Sequence, residues 1–225
     1  MNVKSIAIDG PSGAGKSTLA KKLAEALGFL YVDTGAIYRT VGLFVCRNGV
    51  SSTDAEGVTA LLDMLSIDLK YGGDGLQHMI LNGEDVTDEI RRNEISKYAS
   101  DVSAIPAVRA FLLEMQRQLA RTNNVIMDGR DIGTVVLPDA DVKIFLTATS
   151  EARAARRWKE LEERGNPTGF ATVLSDLVQR DENDSSRAAA PLRAADDAVW
   201  VDTTGYTLQE SFEVLLKIIK ERLEP

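Results

Sequence analysis

Cysteine and histidine are almost missing from this chain: Cys46 and His78 are the sole members of their kinds in 225 residues. A lone thiol forms no intrachain disulfide and, with a lone imidazole, no zinc cluster, so a reduced compartment such as the cytoplasm is expected. Catalysis by a histidine base or a cysteine nucleophile is also disfavoured, because Cys46 sits among apolar neighbours and His78 lies in a segment that reads as a hairpin. Net positive charge is missing too. The formal charge is -8 and the pI about 4.8, so the long-range field repels polyanions, and neither a nucleic-acid polymer nor an acidic membrane is an expected partner. No apolar run approaches the length of a membrane span, and residues 1–9 lack a basic segment leading into an apolar one. Neither export nor membrane insertion is expected.

What is present is enough apolar material for a core. Hydrophobic residues make up 44% of the chain, and the length fits a single domain over 1–225 that carries a small insertion. Residues 3–9 (VKSIAID) form a short β-branched run, followed by a glycine-rich turn and then leucines at positions 19, 23 and 27. This is a strand, a loop and an amphipathic helix, with Gly28 where a C-terminal cap belongs. A second strand over 29–32 leads to a helix ending near Gly49, and Thr53 with Glu56 suggests a capping box for a third helix. Between Ile67 and Val86 the period becomes two, punctuated by Gly72-Gly73-Asp74-Gly75 and Asn82-Gly83, which predicts a small antiparallel insertion. Two helices split at Pro106 follow, then strands at 125–127 and 142–146, helices at about 150–164 and 171–181, a strand at 198–201, and a final helix capped by Thr207 and Glu210. Such alternation predicts an α/β fold with a parallel sheet flanked by helices.

The segment Gly10-Pro11-Ser12-Gly13-Ala14-Gly15-Lys16-Ser17 fits G-x-x-x-x-G-K-[ST] between a predicted strand and a predicted helix. Its chemistry is anion capture: backbone N–H groups converge on phosphate oxygens, Lys16 adds a mobile positive charge, and the Ser17 hydroxyl suits Mg2+ on ATP. A P-loop alone leaves the acceptor open, and a regulatory module that binds ATP without turnover also carries one.

Asp128-Gly129-Arg130-Asp131 stands just past a predicted strand. It reads either as a carboxylate near Mg2+ with an arginine on phosphate, or as an ordinary polar turn. Arg39, Arg180 and Arg187 are candidate phosphate ligands, as are Arg153, Arg156 and Arg157 on one helix. Two phosphate groups brought together create a dense negative cluster that planar guanidinium groups neutralise in pairs. Each arginine alone is equally at home on a solvated surface, and Glu151, Glu160, Glu162 and Glu163 could pair with the helical ones.

Taken together, IDGPSGAGK at 8–16, DTGAIYR at 33–39, DGRDIGTVV at 128–136 and the run from Arg180-Asp181 through Asp184 to Arg187 resemble the bacterial cytidylate kinases, and the likeness covers nearly the whole chain. The resemblance implies a P-loop NTPase-type parallel core flanked by helices, a small antiparallel monophosphate-binding insertion at about 67–92, and a short lid at about 153–166. It implies an enzyme that passes the γ-phosphoryl group of ATP to CMP or dCMP with Mg2+; no exposed heptad or long apolar helix face demands a partner, so a monomer is the expectation. By matching position, Gly10, Pro11, Ser12, Gly13, Ala14, Gly15, Lys16, Ser17 and Thr18 would hold ATP, joined from the lid by Arg153 and Arg157. Ser17 would carry the metal, with Asp128 behind it through a water and close to the acceptor. Thr34 and Tyr38 would face the acceptor's sugar, while Arg39, Arg130 and Arg187 would hold its phosphate and, with Lys16, the transferring group. Arg180 and Asp184 would bind the ribose. Ser100, Arg109 and Asp131 would read the base, where cytosine offers an amino donor beside ring acceptors. Uracil presents a carbonyl there, so rejection of UMP is expected.

Overall fold

The apolar run that precedes the glycine-rich loop becomes the middle strand of a parallel sheet. A computed structural model describes residues 3–72, 77–163, 165–166 and 168–223. In chain order the elements are β1 (Ser5–Asp9), α1 (Lys16–Leu27), β2 (Leu30–Asp33), α2 (Thr34–Arg47), α3 (Ala55–Leu61), β3 (Ile67–Tyr71), β4 (Gln77–Leu81), β5 (Glu84–Asp85), α4 (Asn93–Val102), α5 (Pro106–Thr122), β6 (Val125–Gly129), β7 (Val142–Thr147), α6 (Ser150–Glu163), α7 (Phe170–Ser186), β8 (Val199–Asp202) and α8 (Leu208–Leu223). They divide into two units, Met1–Tyr31 with Ala120–Pro225, and Val32–Leu119.

The first unit is built on a five-stranded sheet of order β2-β6-β1-β7-β8. Strand β1 pairs in parallel with β6 on one side and β7 on the other, so Asp9 lies opposite Gly129 and Phe145. Every residue of β6 is buried, as expected for a parallel strand covered on both faces. Ile6, Ile8, Ile144 and Leu146 of the sheet pack with Leu19 and Leu23 of α1 and with Leu215 and Ile219 of α8. Helices α6 and α7 form a smaller cluster of their own around Ala154, Leu161, Val173 and Leu177. There the Trp158 ring meets Phe170 edge-on at 6.3 Å. On the sheet, Trp200 lies 4.5 Å from Phe145 and is 63% exposed.

The second unit carries the antiparallel sheet β3-β4-β5. Asn82 and Gly83 both have positive φ, 48° and 89°, the backbone of the tight hairpin that this dipeptide announces. Of the other expected turn, Gly73, Asp74 and Gly75 lie outside the described residues, as do Leu76 and Arg164. Helices α2 and α4 touch at Gly42, where a Cβ would come within 2.9 Å of the Ala99 nitrogen.

The structure corrects two boundaries. The cap of α3 is Asp54, not Thr53: the Asp54 carboxylate accepts the Gly57 N–H at 3.0 Å, while the Thr53 hydroxyl turns to Ser51. Helix α7 runs to Ser186 rather than stopping near Asp181, because its acidic end is neutralised by arginines distant in sequence. The expected capping box of α8 is present, with the Thr207 N–H on the Glu210 carboxylate at 2.8 Å and the Glu210 N–H on the Thr207 hydroxyl at 3.2 Å.

Candidate active site

The register of β1 and β6 brings the P-loop and the Asp128-Gly129-Arg130-Asp131 turn out of the same edge of the sheet. Gly10 sits at φ 149°, and a Cβ there would run into the Leu146 carbonyl oxygen. Only glycine lets the chain leave β1 on this path. Lys16 is 5% exposed and its Nζ donates to the Pro11 carbonyl at 2.7 Å, which holds it over its own loop. Burial and then the Arg130 charge lower its pKa to about 7. A buried ammonium in that condition gains most from an arriving phosphate.

Ser17 and Asp128 are joined directly. The Ser17 hydroxyl donates to one carboxylate oxygen of Asp128 at 2.8 Å, and the Tyr31 hydroxyl donates to the other at 2.9 Å. Thr18, next along α1, is exposed.

Past Asp128 the arginine–carboxylate cluster begins. Arg130 Nε donates to Asp184 at 2.8 Å, while Arg187 reaches Asp131 at 3.4 Å and Asp184 at 3.8 Å. Arg187 is fixed further by a 2.7 Å bond from Nε to the Ala190 carbonyl. Burial works against the Asp184 charge, but Arg130, Arg180 and Arg187 outweigh it and hold the carboxyl below its ordinary range. Burial likewise opposes the Arg130 charge, and Asp184 reverses the balance. The structure therefore gathers Asp128, Arg130, Asp131, Arg180, Asp184 and Arg187 into one network.

Arg153 sits deeper than a lid arginine was expected to. It is 4% exposed, donates to the carbonyls of Ala148 and Ser12 at 2.9 and 2.8 Å, and pairs with Asp181 at 2.6 Å. Asp181 in turn accepts the Ser12 N–H at 3.2 Å. Arg157 pairs with Glu160 at 2.9 Å along α6, and Arg156 turns to the Thr203 carbonyl at 2.7 Å.

The remaining candidates belong to the second unit. Thr34 opens α2 and is buried; Asp33 caps that helix on the Ala36 N–H at 2.8 Å and holds Arg39 at 2.9 Å. Among the described residues, Arg39 Nε is buried with no hydrogen-bond partner. The Arg109 guanidinium lies 5.5 Å from the centre of the Tyr38 ring and donates to the Ser103 carbonyl at 3.1 Å. The Ser100 carbonyl accepts the Ser103 hydroxyl at 2.7 Å.

Sequence reasoning gave no role to Asp9, Tyr31, Gln77 or Asp181. Gln77 brackets the Asp33 backbone, accepting its N–H at 2.8 Å and donating to its carbonyl at 3.3 Å. Asp9 is 4% exposed and accepts the N–H groups of Ile132 and Gly133 at 2.8 and 2.7 Å. Burial pushes its pKa up to about 7, the two N–H bonds pull it down, and the charges of Asp131 and Lys16 act on it with opposite signs. A carboxylate interrupting an apolar strand just before a P-loop was the available signal.

A P-loop joined to this arginine–carboxylate cluster narrows the possibilities, and comparison with known proteins decides among them. The family model described as cytidylate kinase matches residues 6–221. The chain belongs to the cytidylate kinase family. Among similar relatives is a protein named cytidylate kinase from Caldicellulosiruptor saccharolyticus, 50% identical and covering 95% of this chain and 94% of its own. Another of that name, from Thermosipho melanesiensis, is 49% identical and covers 96% and 97%. A crystal structure of an uncharacterized protein from Eubacterium ventriosum is similar in fold, with a TM-score of 0.54 at 14% identity over 97% of this chain and 98% of that one. As a member of the cytidylate kinase family the chain is a nucleoside monophosphate kinase, a phosphotransferase that acts on nucleotides with ATP as donor. Among the described residues, no helix is long and apolar enough to cross a membrane.

Proposed function

We propose that this kinase transfers the γ-phosphoryl group of ATP to CMP or dCMP, with donor and acceptor held by the residues the sequence singles out. The observation that carries this reading is the cluster in which Arg130 and Arg187 share Asp184 and Arg187 also reaches Asp131. Two guanidinium groups set at fixed angles by one carboxylate are ready to take phosphate oxygens without reorganising, which is where catalysis of phosphoryl transfer lies.

On the donor side, the backbone of Gly10, Pro11, Ser12, Gly13, Ala14, Gly15, Lys16, Ser17 and Thr18 cradles the phosphates of ATP. Lys16 exchanges its bond to the Pro11 carbonyl for one to phosphate. Arg153 serves this site through the Ser12 backbone and Arg157 by direct approach. Mg2+ fits the hydroxyl of Ser17 with the Asp128 carboxylate behind it through water, since both offer hard oxygen donors and the ion takes few ligands from protein when phosphates supply the rest. When bound it would neutralise charge on the β- and γ-phosphates.

On the acceptor side, Arg39, Arg130 and Arg187 take the monophosphate, Thr34 and Tyr38 the sugar, and Arg180 and Asp184 the ribose hydroxyls. Ser100, Arg109 and Asp131 read cytosine. The monophosphate is already an anionic nucleophile at neutral pH, so no strong general base is required. Residues 67–92 act as the monophosphate-binding insertion and 153–166 as a lid within a single functional domain. A monomer in the cytoplasm, handling free nucleotides rather than nucleic acid or membrane, fits the acidic surface and the solitary Cys46.

A coupled ADP-release assay with ATP, Mg2+ and a panel of acceptors tests the reading. CMP and dCMP are expected to exceed UMP and AMP in kcat/KM by about a hundredfold or more. A protein that turns over UMP or AMP as fast as CMP does not fit it.

A further inference from the structure

Asp131 opens the π-helical turn Ile132–Val136, and an aspartate in that place ordinarily caps the turn with its own carboxylate. Here its side chain makes no capping bond. The first two N–H groups of the turn, those of Ile132 and Gly133, are instead taken by Asp9 from the end of β1, at 2.8 and 2.7 Å, one on each carboxylate oxygen. Asp131 meanwhile faces Arg187 at 3.4 Å.

We infer that Asp9 is a positioning residue for acceptor recognition: by capping the turn in place of Asp131, it releases the Asp131 carboxylate to select the base. The inference rests on the base-reading role proposed for Asp131. Its physical core is competition for a pair of buried amides. A buried N–H left without a partner is costly, so once Asp9 is weakened the carboxylate at the turn's own cap position, Asp131, is drawn to it. Its carboxylate then points at its own backbone rather than at an incoming amino group. Asp9 fills its place because it adjoins Gly10, whose path against Leu146 fixes where β1 ends. Gly133 closes the other side: a Cβ there would stand 3.2 Å from Lys143 Cδ and in ordinary contact, 3.4 Å, with Asp9 Oδ2, so a side chain larger than a methyl group at 133 presses on the capping carboxylate.

Steady-state kinetics with CMP and with UMP, each at saturating ATP, on the wild type and on Asp9→Asn, Gly133→Val and Asp131→Ala, test this. Asp9→Asn keeps the side-chain size but replaces one acceptor oxygen with a donor. It is expected to lower the ratio of kcat/KM for CMP over UMP by about tenfold, the effect of one misplaced hydrogen bond to a charged group, with no rise in the KM for ATP. Gly133→Val, whose branched side chain no longer fits beside Asp9 Oδ2, is expected to act in the same direction and supplies the test if Asp9→Asn does not fold. A CMP/UMP ratio unchanged in both, with only the melting temperature lowered, overturns the inference while Asp131→Ala still collapses the ratio. A ratio unchanged in Asp131→Ala overturns the base-reading role itself and the inference with it.

Discussion

Arg153 and Asp181 meet at 2.6 Å and together hold both polar groups of the Ser12 backbone, the arginine on its carbonyl and the aspartate on its N–H. The P-loop is thus clamped by a pair drawn from α6 and α7, the helices with a small apolar cluster of their own.

Removing either partner leaves a largely buried charge without its counterpart. Arg153→Met is expected to destabilise the protein by about 3 kcal/mol and to raise the KM for ATP by about tenfold, because the loop loses its fixed geometry. The KM for CMP should change little. Thermal melts together with ATP titrations of the rate check this; a lowered melting point with an unchanged KM for ATP would reduce the clamp to a structural role.

Two buried carboxylates should bend the dependence of stability on pH in opposite directions. Asp9 has a pKa raised from 3.8 to about 7, so its contribution to stability is complete below 3.8 and is lost as pH rises through about 7. Relative to Asp9→Asn, the wild type is expected to lose on the order of a few kcal/mol across that window. Asp184 is held below its ordinary 3.8, since Arg130, Arg180 and Arg187 outweigh burial. Its contribution is present above 3.8 and fades on acidification, so the gap between wild type and Asp184→Asn closes as the pH falls. Urea denaturation of the three proteins from pH 2 to 8 covers both windows and separates the trends. Parallel curves for wild type and Asp9→Asn would remove the Asp9 assignment.

Tyr31 and Ser17 each donate to a different oxygen of Asp128. Deleting the tyrosine hydroxyl leaves Ser17 in place but loosens the carboxylate behind it. Tyr31→Phe is therefore expected to raise the Mg2+ concentration for half-maximal activity by about tenfold, with kcat recovered at saturating metal. An unchanged Mg2+ requirement would separate Tyr31 from the metal.

Where one local rule decides an outcome, the residues announced it. The leucines at 19, 23 and 27 form the face of α1, Asn82-Gly83 makes its turn, and Thr207 with Glu210 caps α8. Where two local rules compete, pattern was not enough: Thr53 and Asp54 both suit a helix cap, and only the backbone shows that Asp54 reaches Gly57. The length of α7 was hidden for a different reason. Its last two turns carry acidic residues that are poor helix enders until Arg130, far away in the chain, arrives to bond Asp184. The candidate site shows the same division. The P-loop was legible because its chemistry is contiguous, and the arginines around Asp184 were legible as a set through the family likeness. Asp9 capping a turn more than a hundred residues away, at Ile132, was not, since no local spacing encodes that contact.

The chain has two tryptophans, and the fold gives them different surroundings. Trp158 belongs to the helix pair that clamps the P-loop, packed edge-on against Phe170, whereas Trp200 stands largely in solvent beside Phe145 on the sheet. The protein accordingly contains two intrinsic fluorophores in unlike surroundings, one among the side chains of α6 and α7 and one largely in water, and a single spectrum can tell a change in that helix pair from one at the sheet without any attached label.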